Sequence, residues 1–267
     1  MQFMNYIDGN KTAWEEVFNK RRPGWGDKNH EALKSGKFAF FNDDVKKELE
    51  ALDLGGKAVA QFCCNNGREL LSILDSGAAC AVGFDIADNI LEQAKETAKK
   101  SGITNCKFIA CDILDIPESY HESFDLVFFT IGAITWFREL DKLFYVVSKC
   151  LKTGGLLLIN DYHPIINMLP VPGEDEFDPD DLNKIAFSYF EKEPWFENKM
   201  DYISDETTSG TFTSFSHTMS DIVNALSENG IRIIKLGEYD YDVGMTDVYD
   251  GKGFPLSYIL VAEKLGY

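Results

Sequence analysis

The chain has 267 residues and a formal net charge of −18, from 26 Lys plus Arg against 44 Asp plus Glu. This length buries a full core and suits one α/β domain with an insertion, and the charge repels a polyphosphate backbone, so no nucleic acid is expected as partner and a neutral or cationic small molecule is. No apolar run approaches the roughly 20 residues of a membrane span, and the polar opening "MQFMNYIDGNKTAWEE" lacks the layout of a secretory signal, so no membrane partner and a cytoplasmic location are expected.

Residues 1–54 read as a helical N-terminal cover, with helices in "TAWEEVFNK" and "NDDVKKELEAL" around the turn-rich "RRPGWGDKN". From 55 to 164 the chain alternates strand-like and amphipathic stretches, the βαβ rhythm of a parallel sheet. The strands are expected at 57–62, 80–85, 106–110, 124–129 and 155–160. Between them, "RELLSILDSG" stops at Gly77, and "DNILEQAKETAKKSG" is expected to be capped by Asp88 and ended by Gly102. "ELDKLFYVVSKCLKTGG" supplies the crossover before the fifth strand. Residues 165–216 break the rhythm with an acidic, Pro-containing run and then the aromatic "FSYFEKEPWFENKMDY", read as a substrate-cap insertion over the C-terminal sheet edge. Residues 217–267 complete the core sheet with "TMSDIVNALSENG", where Thr218 and Asp221 form a capping box and Gly230 a stop, and then two more strands, "IRIIKLGEY" and "LSYILVAEK". The expected fold is α/β: a doubly wound, Rossmann-like, seven-stranded, mostly parallel sheet with an antiparallel last strand and an insertion after strand 5.

Cys63, Cys64, Cys80, Cys106, Cys111 and Cys150 are scattered, which suits reduced, buried thiols better than a disulfide framework. Neither a C-x-x-C pair nor a Cys/His cluster at zinc spacing is present, so no metal is expected.

After the first strand comes "QFCCNNGREL", in which Gln61, Cys63, Asn65 and Gly67 recur at every second residue. The spacing differs from the G-x-G-x-x-G of dinucleotide loops. It resembles the first motif, (D/E)-x-G-x-G-x-G, of the class I S-adenosylmethionine-dependent methyltransferases, with Gln61 in the acid position, Cys63 and Asn65 in the first two glycine positions and Gly67 in the last. Asn tolerates left-handed backbone and Cys is small, so the backbone can still approach a ligand. Gln61 can accept a hydrogen bond but brings no charge, so affinity is weaker or another acid compensates.

The resemblance continues through "VGFDIAD", where Asp85 lies 18 residues after Gly67 and takes the place of the ribose-binding acid. In "FIACDILDIP", Asp112 matches the acid that meets the adenine amino group, with Ile113 as an apolar wall. "FDLVFFTIGAITWF" resembles the fourth strand and its loop, where Thr130 and Ile131 border the methionine part, and "LKTGGLLLINDYHP" the turn into strand 5. The family thus implies S-adenosyl-L-methionine as cofactor, bound by Gln61, Cys63, Cys64, Asn65, Asn66, Gly67, Asp85, Ile86, Asp112, Ile113, Thr130 and Ile131. It covers residues 57–163.

Methyl transfer from a sulfonium requires no fixed catalytic side chain, but an acceptor that must lose a proton profits from a base. His163, after strand 5, is the candidate base; the alternative, which we favour, is that "HP" forms a turn with the ring bonded to backbone. His217 reads as part of a helix entrance, and Tyr162 and Tyr189 as pocket walls or packing. The missing [DN]-P-P-[YFW] and the acidic charge argue for a small-molecule methyl acceptor. Trp14, Trp25, Trp136 and Trp195 form an aromatic enclosure or core and lid packing, the latter favoured for Trp14. The competing functions are a non-catalytic protein that binds the cofactor and a nicotinamide-dependent oxidoreductase. The acceptor's identity and the oligomeric state are not written in the sequence.

Overall fold

A computed structural model describes residues 6–266; residues 1–5 of the expected N-terminal cover, and Tyr267, lie outside the described residues. Helices α1 (Tyr6–Asn19), α2 (Asn29–Ala32) and α3 (Asp43–Ala51) precede the first strand. Then β1 (Ala58–Phe62), α4 (Arg68–Leu74), β2 (Cys80–Asp85), α5 (Asp88–Ser101), β3 (Cys106–Ala110), β4 (Phe124–Phe129), α6 (Leu140–Cys150) and β5 (Leu151–Tyr162) follow. The chain ends with β6 (Trp195–Glu197), β7 (Phe212–Ser214), α7 (Met219–Glu228), β8 (Ile231–Tyr239) and β9 (Ser257–Lys264). Among the described residues, no helix is long and apolar enough to cross a membrane.

Seven strands form one sheet in the order β3-β2-β1-β4-β5-β9-β8, parallel from β3 to β5, with β9 antiparallel to both of its neighbours. This is the fold class read from the sequence. A run such as "FDLVFF" is apolar apart from Asp125 near its start because both faces are covered. Leu126 and Phe128 pack with residues of α3, α4 and α5, while Val127 and Phe129 pack with α6 and α7. From β1 the chain winds outward to β3 and then returns to β4 on the other side of β1. That reversal opens a crevice at the C-terminal ends of β1 and β4, where such sheets take ligands.

Several boundaries differ from expectation. Strand β5 begins at Leu151 and ends at Tyr162, because β9 pairs with it as far as Tyr162. Asp88 does not cap α5: it is the first helical residue, and the capping position is Ala87, whose N–H is taken by the Asp85 carboxylate at 3.1 Å. Asp88 still favours the helix through its charge at the positive end of the helix dipole. Cys80 is exposed rather than buried, since it starts β2 at the rim of the sheet, whereas Cys64 and Cys150 are buried and all six thiols are free. The Thr218–Asp221 capping box forms on both sides, and Gly102 ends α5 in left-handed backbone.

Between β5 and α7, β6 and β7 form a separate two-stranded sheet. Helix α1 lies on β7 through one buried amide: Asn10 Nδ2 donates to Thr213 O at 2.9 Å, and Thr213 N donates to Asn10 Oδ1 at 2.6 Å. Glu16 adds a second clasp, accepting from Ser209 N and Ser209 Oγ, each at 2.7 Å. Arg22 forms a two-pronged pair with Asp205. The N-terminal helix and the β6–β7 sheet are therefore joined over the crevice. Asn10→Ala leaves the buried N–H and C=O of Thr213 unpaired and is expected to destabilise the fold by about 2–4 kcal/mol, read as a lower urea midpoint. A loss below about 0.5 kcal/mol would show that the pair is not what holds the cover.

Candidate active site

The crevice is the mouth of a cavity of about 1060 Å³. Its floor is the loop after β1. Cys63, Asn65 and Gly67 have φ values of 55°, 49° and 68°, so all three alternate positions are left-handed although only one is glycine. For an ordinary L-residue that conformation costs about 1–2 kcal/mol, less for Asn. It persists here because the loop's backbone is held from several sides. Cys64 N donates to Phe84 O at 2.9 Å, Gly67 N to Cys64 O at 2.8 Å and Asn65 N to Asp85 Oδ2 at 2.8 Å. Asn66 Nδ2 reaches Gln93 Oε1 at 3.2 Å on α5, and Gln93 in turn donates to Trp25 O.

Of the twelve residues expected to touch a cofactor, ten line the cavity: Gln61, Cys63, Asn65, Asn66, Asp85, Ile86, Asp112, Ile113, Thr130 and Ile131. Cys64 and Gly67 do not. The Cys64 side chain lies within the apolar layer under the loop, with its sulfur against Gly83. Gly67 serves packing, since a Cβ there would stand 2.4 Å from Phe108 Cε1, and its backbone caps α4.

Asp85 ends β2, buried to 8 % exposure, with one oxygen on Asn65 N and the other on Ala87 N. Burial pushes its carboxyl up to about 6 against the pull of those N–H groups. Asp112 follows β3, with Oδ1 accepting from Leu114 N at 2.9 Å; burial raises its pKa as well. Gln61 is 1 % exposed. Its Nε2 donates to Thr130 Oγ1 at 3.0 Å, which joins the ends of β1 and β4, and its Oε1 has no partner.

His163 is not on the cavity wall. Its Nδ1 accepts from Ile165 N at 3.2 Å, capping the 3-10 turn Pro164–Met168, and its Nε2 lies 3.0 Å from Glu238 on β8. The turn reading of "HP" therefore describes it, and the ring is drawn toward β8 instead of the crevice. His217 does line the cavity, with Nε2 donating to Phe137 O at 2.9 Å; burial pushes its pKa down. Tyr162 is also on the wall, whereas Tyr189 caps α7 by accepting from Met219 N. All four Trp residues line the cavity, including Trp14, which packs edge-on against both Trp136 and Phe212.

Three groups escaped the sequence reading. Asp161, near the end of β5, lines the cavity, and its only signal was an acid in the apolar "LLLINDY". Glu174 and Glu197 are brought to the wall by the segment after β5, where no periodicity announces position. Among the described residues no His/Cys/Asp/Glu cluster could hold a metal ion.

Comparison with known proteins agrees with this geometry. The family described as "Methyltransferase domain" matches residues 46–177. The ribosomal protein L11 methyltransferase of Erwinia tasmaniensis is 33% identical over 109 residues, covering 41% of this chain and 35% of that protein. The sterol 4-C-methyltransferase strm-1 of Caenorhabditis elegans is 30% identical over 138 residues, covering 51% and 38%. The match thus spans well under two thirds of the length of these relatives. Among solved structures, an S-adenosylmethionine-dependent methyltransferase from Clostridium acetobutylicum superposes with a TM-score of 0.60 at 12% identity, covering 91% of this chain and 98% of that one. A geranyl diphosphate C-methyltransferase from Streptomyces coelicolor, solved with S-adenosyl-L-homocysteine, gives 0.60 at 11% identity over 98% and 99%. Residues 46–177 match a methyltransferase domain and the solved structures share its fold, and together these support a class I S-adenosylmethionine-dependent methyltransferase.

Proposed function

We propose that the protein transfers a methyl group from S-adenosyl-L-methionine to a small molecule enclosed in the cavity. The observation that carries this reading is the loop itself: left-handed backbone at Cys63, Asn65 and Gly67, tied to the buried Asp85 at the cavity floor. Glycine chemistry has been replaced there while glycine geometry is kept.

The residues present fit the cofactor. The Asp85 carboxylate spends acceptor sites on the N–H groups of Asn65 and Ala87, is also drawn on by that of Ile86, and retains acceptor capacity for a ribose hydroxyl. Asp112 and Ile113 line the same cavity, and we assign them to the adenine edge and face. Gln61 lines the cavity and its Oε1 is a buried acceptor without a partner, and an unmet acceptor of this kind favours a donor such as the methionyl ammonium. When bound, the cofactor supplies an electrophilic methyl carbon on a positively charged sulfur. The chain's own part is to orient both partners and exclude water. Trp14 packs edge to face on Trp136 and Phe212 in the cover, apolar rings suited to excluding water.

A cavity of about 1060 Å³ accommodates a nucleoside cofactor together with a second small molecule. The cover formed by α1 and β7, tied by the Asn10–Thr213 pair, adds Asn10, Trp14 and Ser214 to the wall of the cavity. The volume of the cavity and the aromatic residues on its wall support a small acceptor. Gln61, in place of an acid, favours a second reading, a protein that binds the cofactor without transferring from it. Calorimetric titration with S-adenosylmethionine, S-adenosylhomocysteine and NAD, followed by an assay of S-adenosylhomocysteine release against a metabolite library, separates these readings. Tight binding of the first two with release is the expected result; binding without release selects the second reading, and binding of NAD alone would refute both.

Asp85→Ala is expected to weaken S-adenosylhomocysteine by about 2–4 kcal/mol through lost charge-assisted hydrogen bonds. An affinity within a few tenths of wild type would remove Asp85 from the site. The ionised carboxylate is the stronger acceptor, so protonation competes with the ligand. Affinity should be level above about pH 7 and decline as pH falls through about 6, where Asp85 takes up its proton. Titration in buffers of different ionisation enthalpy should show proton release at pH 6; a flat affinity from pH 5 to 8 contradicts it.

A further inference from the structure

Resting on the methyltransferase reading, we propose that Asp161 receives the acceptor's nucleophile in the cavity, and that the acceptor is an amine carried on an apolar or aromatic body. The strand order separates two ends of the site. Asp85 and Asp112 follow β2 and β3 on one side of β1, whereas Asp161 ends β5, beyond β4 on the other. With the adenosine on the first side, the acceptor occupies the second.

Asp161 is 2 % exposed and lines the cavity. Its Oδ1 is committed to the backbone, accepting from Gly132 N at 2.5 Å and Tyr162 N at 2.8 Å, so the side chain is fixed. The N–H groups of Ala133 and Ile134 also pull on the carboxylate, but none lies within hydrogen-bonding geometry of its Oδ2, which is left without a partner. A buried carboxylate oxygen left without a donor is costly and calls for one. Tyr258, opposite Asp161 in the β5–β9 register, is fully buried and supplies no such donor, since its hydroxyl is unpartnered too.

The charge around this end selects among possible donors. The cavity's Arg68 is paired with Glu69, and its Lys199 with Asp201. Asp161, Glu174 and Glu197 line the same cavity and take part in no ion pair among the described residues. The uncompensated charge is negative, so it attracts a cation, and the aromatic walls from Trp195 and Phe187 suit an apolar body bearing one. An ammonium meets both demands where a neutral hydroxyl meets only the hydrogen bond.

The transfer then balances as follows. The bound ammonium gives one proton to Asp161 Oδ2, leaving a neutral amine. Its lone pair forms the N–C bond as the S–C bond breaks, with that electron pair remaining on sulfur, and the product is a methylated ammonium. Burial pushes Asp161 up to about 7, toward the range of a useful base. The titratable groups that sense its charge are Tyr162, Tyr258 and Cys63, all kept protonated by burial.

Benzylamine and benzyl alcohol differ only in the group offered to Asp161. On the S-adenosylhomocysteine-loaded protein at pH 8, benzylamine is expected to bind about 10- to 100-fold more tightly than benzyl alcohol. Asp161→Asn keeps an oxygen for Gly132 N and should retain S-adenosylhomocysteine while losing the preference. In the wild-type protein the preference should also fade as pH drops through about 7, a measurement that needs no variant to fold. Equal binding of the two probes, a preference that survives in Asp161→Asn, or one unchanged at pH 5.5 would overturn the proposal. If the wild type fails to bind S-adenosylhomocysteine at all, the methyltransferase reading falls and this one with it.

Discussion

The site depends on one buried carboxylate tying a strand to a loop. Asp85 accepts from Asn65 N with one oxygen and from Ala87 N with the other, so a single group fixes the left-handed bend after β1 and the entry to α5. Without that anchor, Cys63 and Asn65 would lose one of the bonds that compensate for a conformation L-residues avoid. The same burial that secures the anchor raises its pKa, because a charge in a poorly solvated place is penalised. A cofactor that donates hydroxyls to this carboxylate relieves part of the penalty, so loop geometry and ligand affinity rest on the same group.

Asp161 repeats this arrangement on the other side of β4. There the carboxylate clasps Gly132 N and fixes the loop after β4, again with its pKa raised by burial. Two acids at two strand ends each spend acceptor sites on a loop and keep some for a ligand. Between them Gln61 and Thr130 bridge β1 and β4 without a charge. In the proposed site the ribose hydroxyls and an acceptor ammonium would then face carboxylates at opposite ends, with the uncharged Gln61 between them.

Much of this was legible in the sequence. The βαβ rhythm, the antiparallel end and the Thr218–Asp221 box follow from apolar period and local capping chemistry, which act over a few residues. The loop was legible through its two-residue spacing and the acids that trail each strand. The role of Cys64 and Gly67 was not, because it depends on Phe108 and Gly83, which reach the loop only through sheet pairing. His163 illustrates the same limit: its partner Glu238 lies on β8, 75 positions along the chain, and only the insertion of β9 between β5 and β8 brings the two strands near. The cover was hardest to foresee. Asn10 and Thr213 are polar residues in segments without strong periodicity, and their meeting is a tertiary event.

The central claim is that a non-glycine loop with glycine geometry, held by Asp85, seats the adenosyl group. A crystal structure with S-adenosylhomocysteine tests it most directly. The account predicts both ribose hydroxyls on the Asp85 carboxylate, the adenine beside Asp112 and Ile113, and Cys63 and Asn65 still left-handed. A ligand seated away from Asp85, or a loop that must abandon its left-handed residues to admit it, would contradict the account.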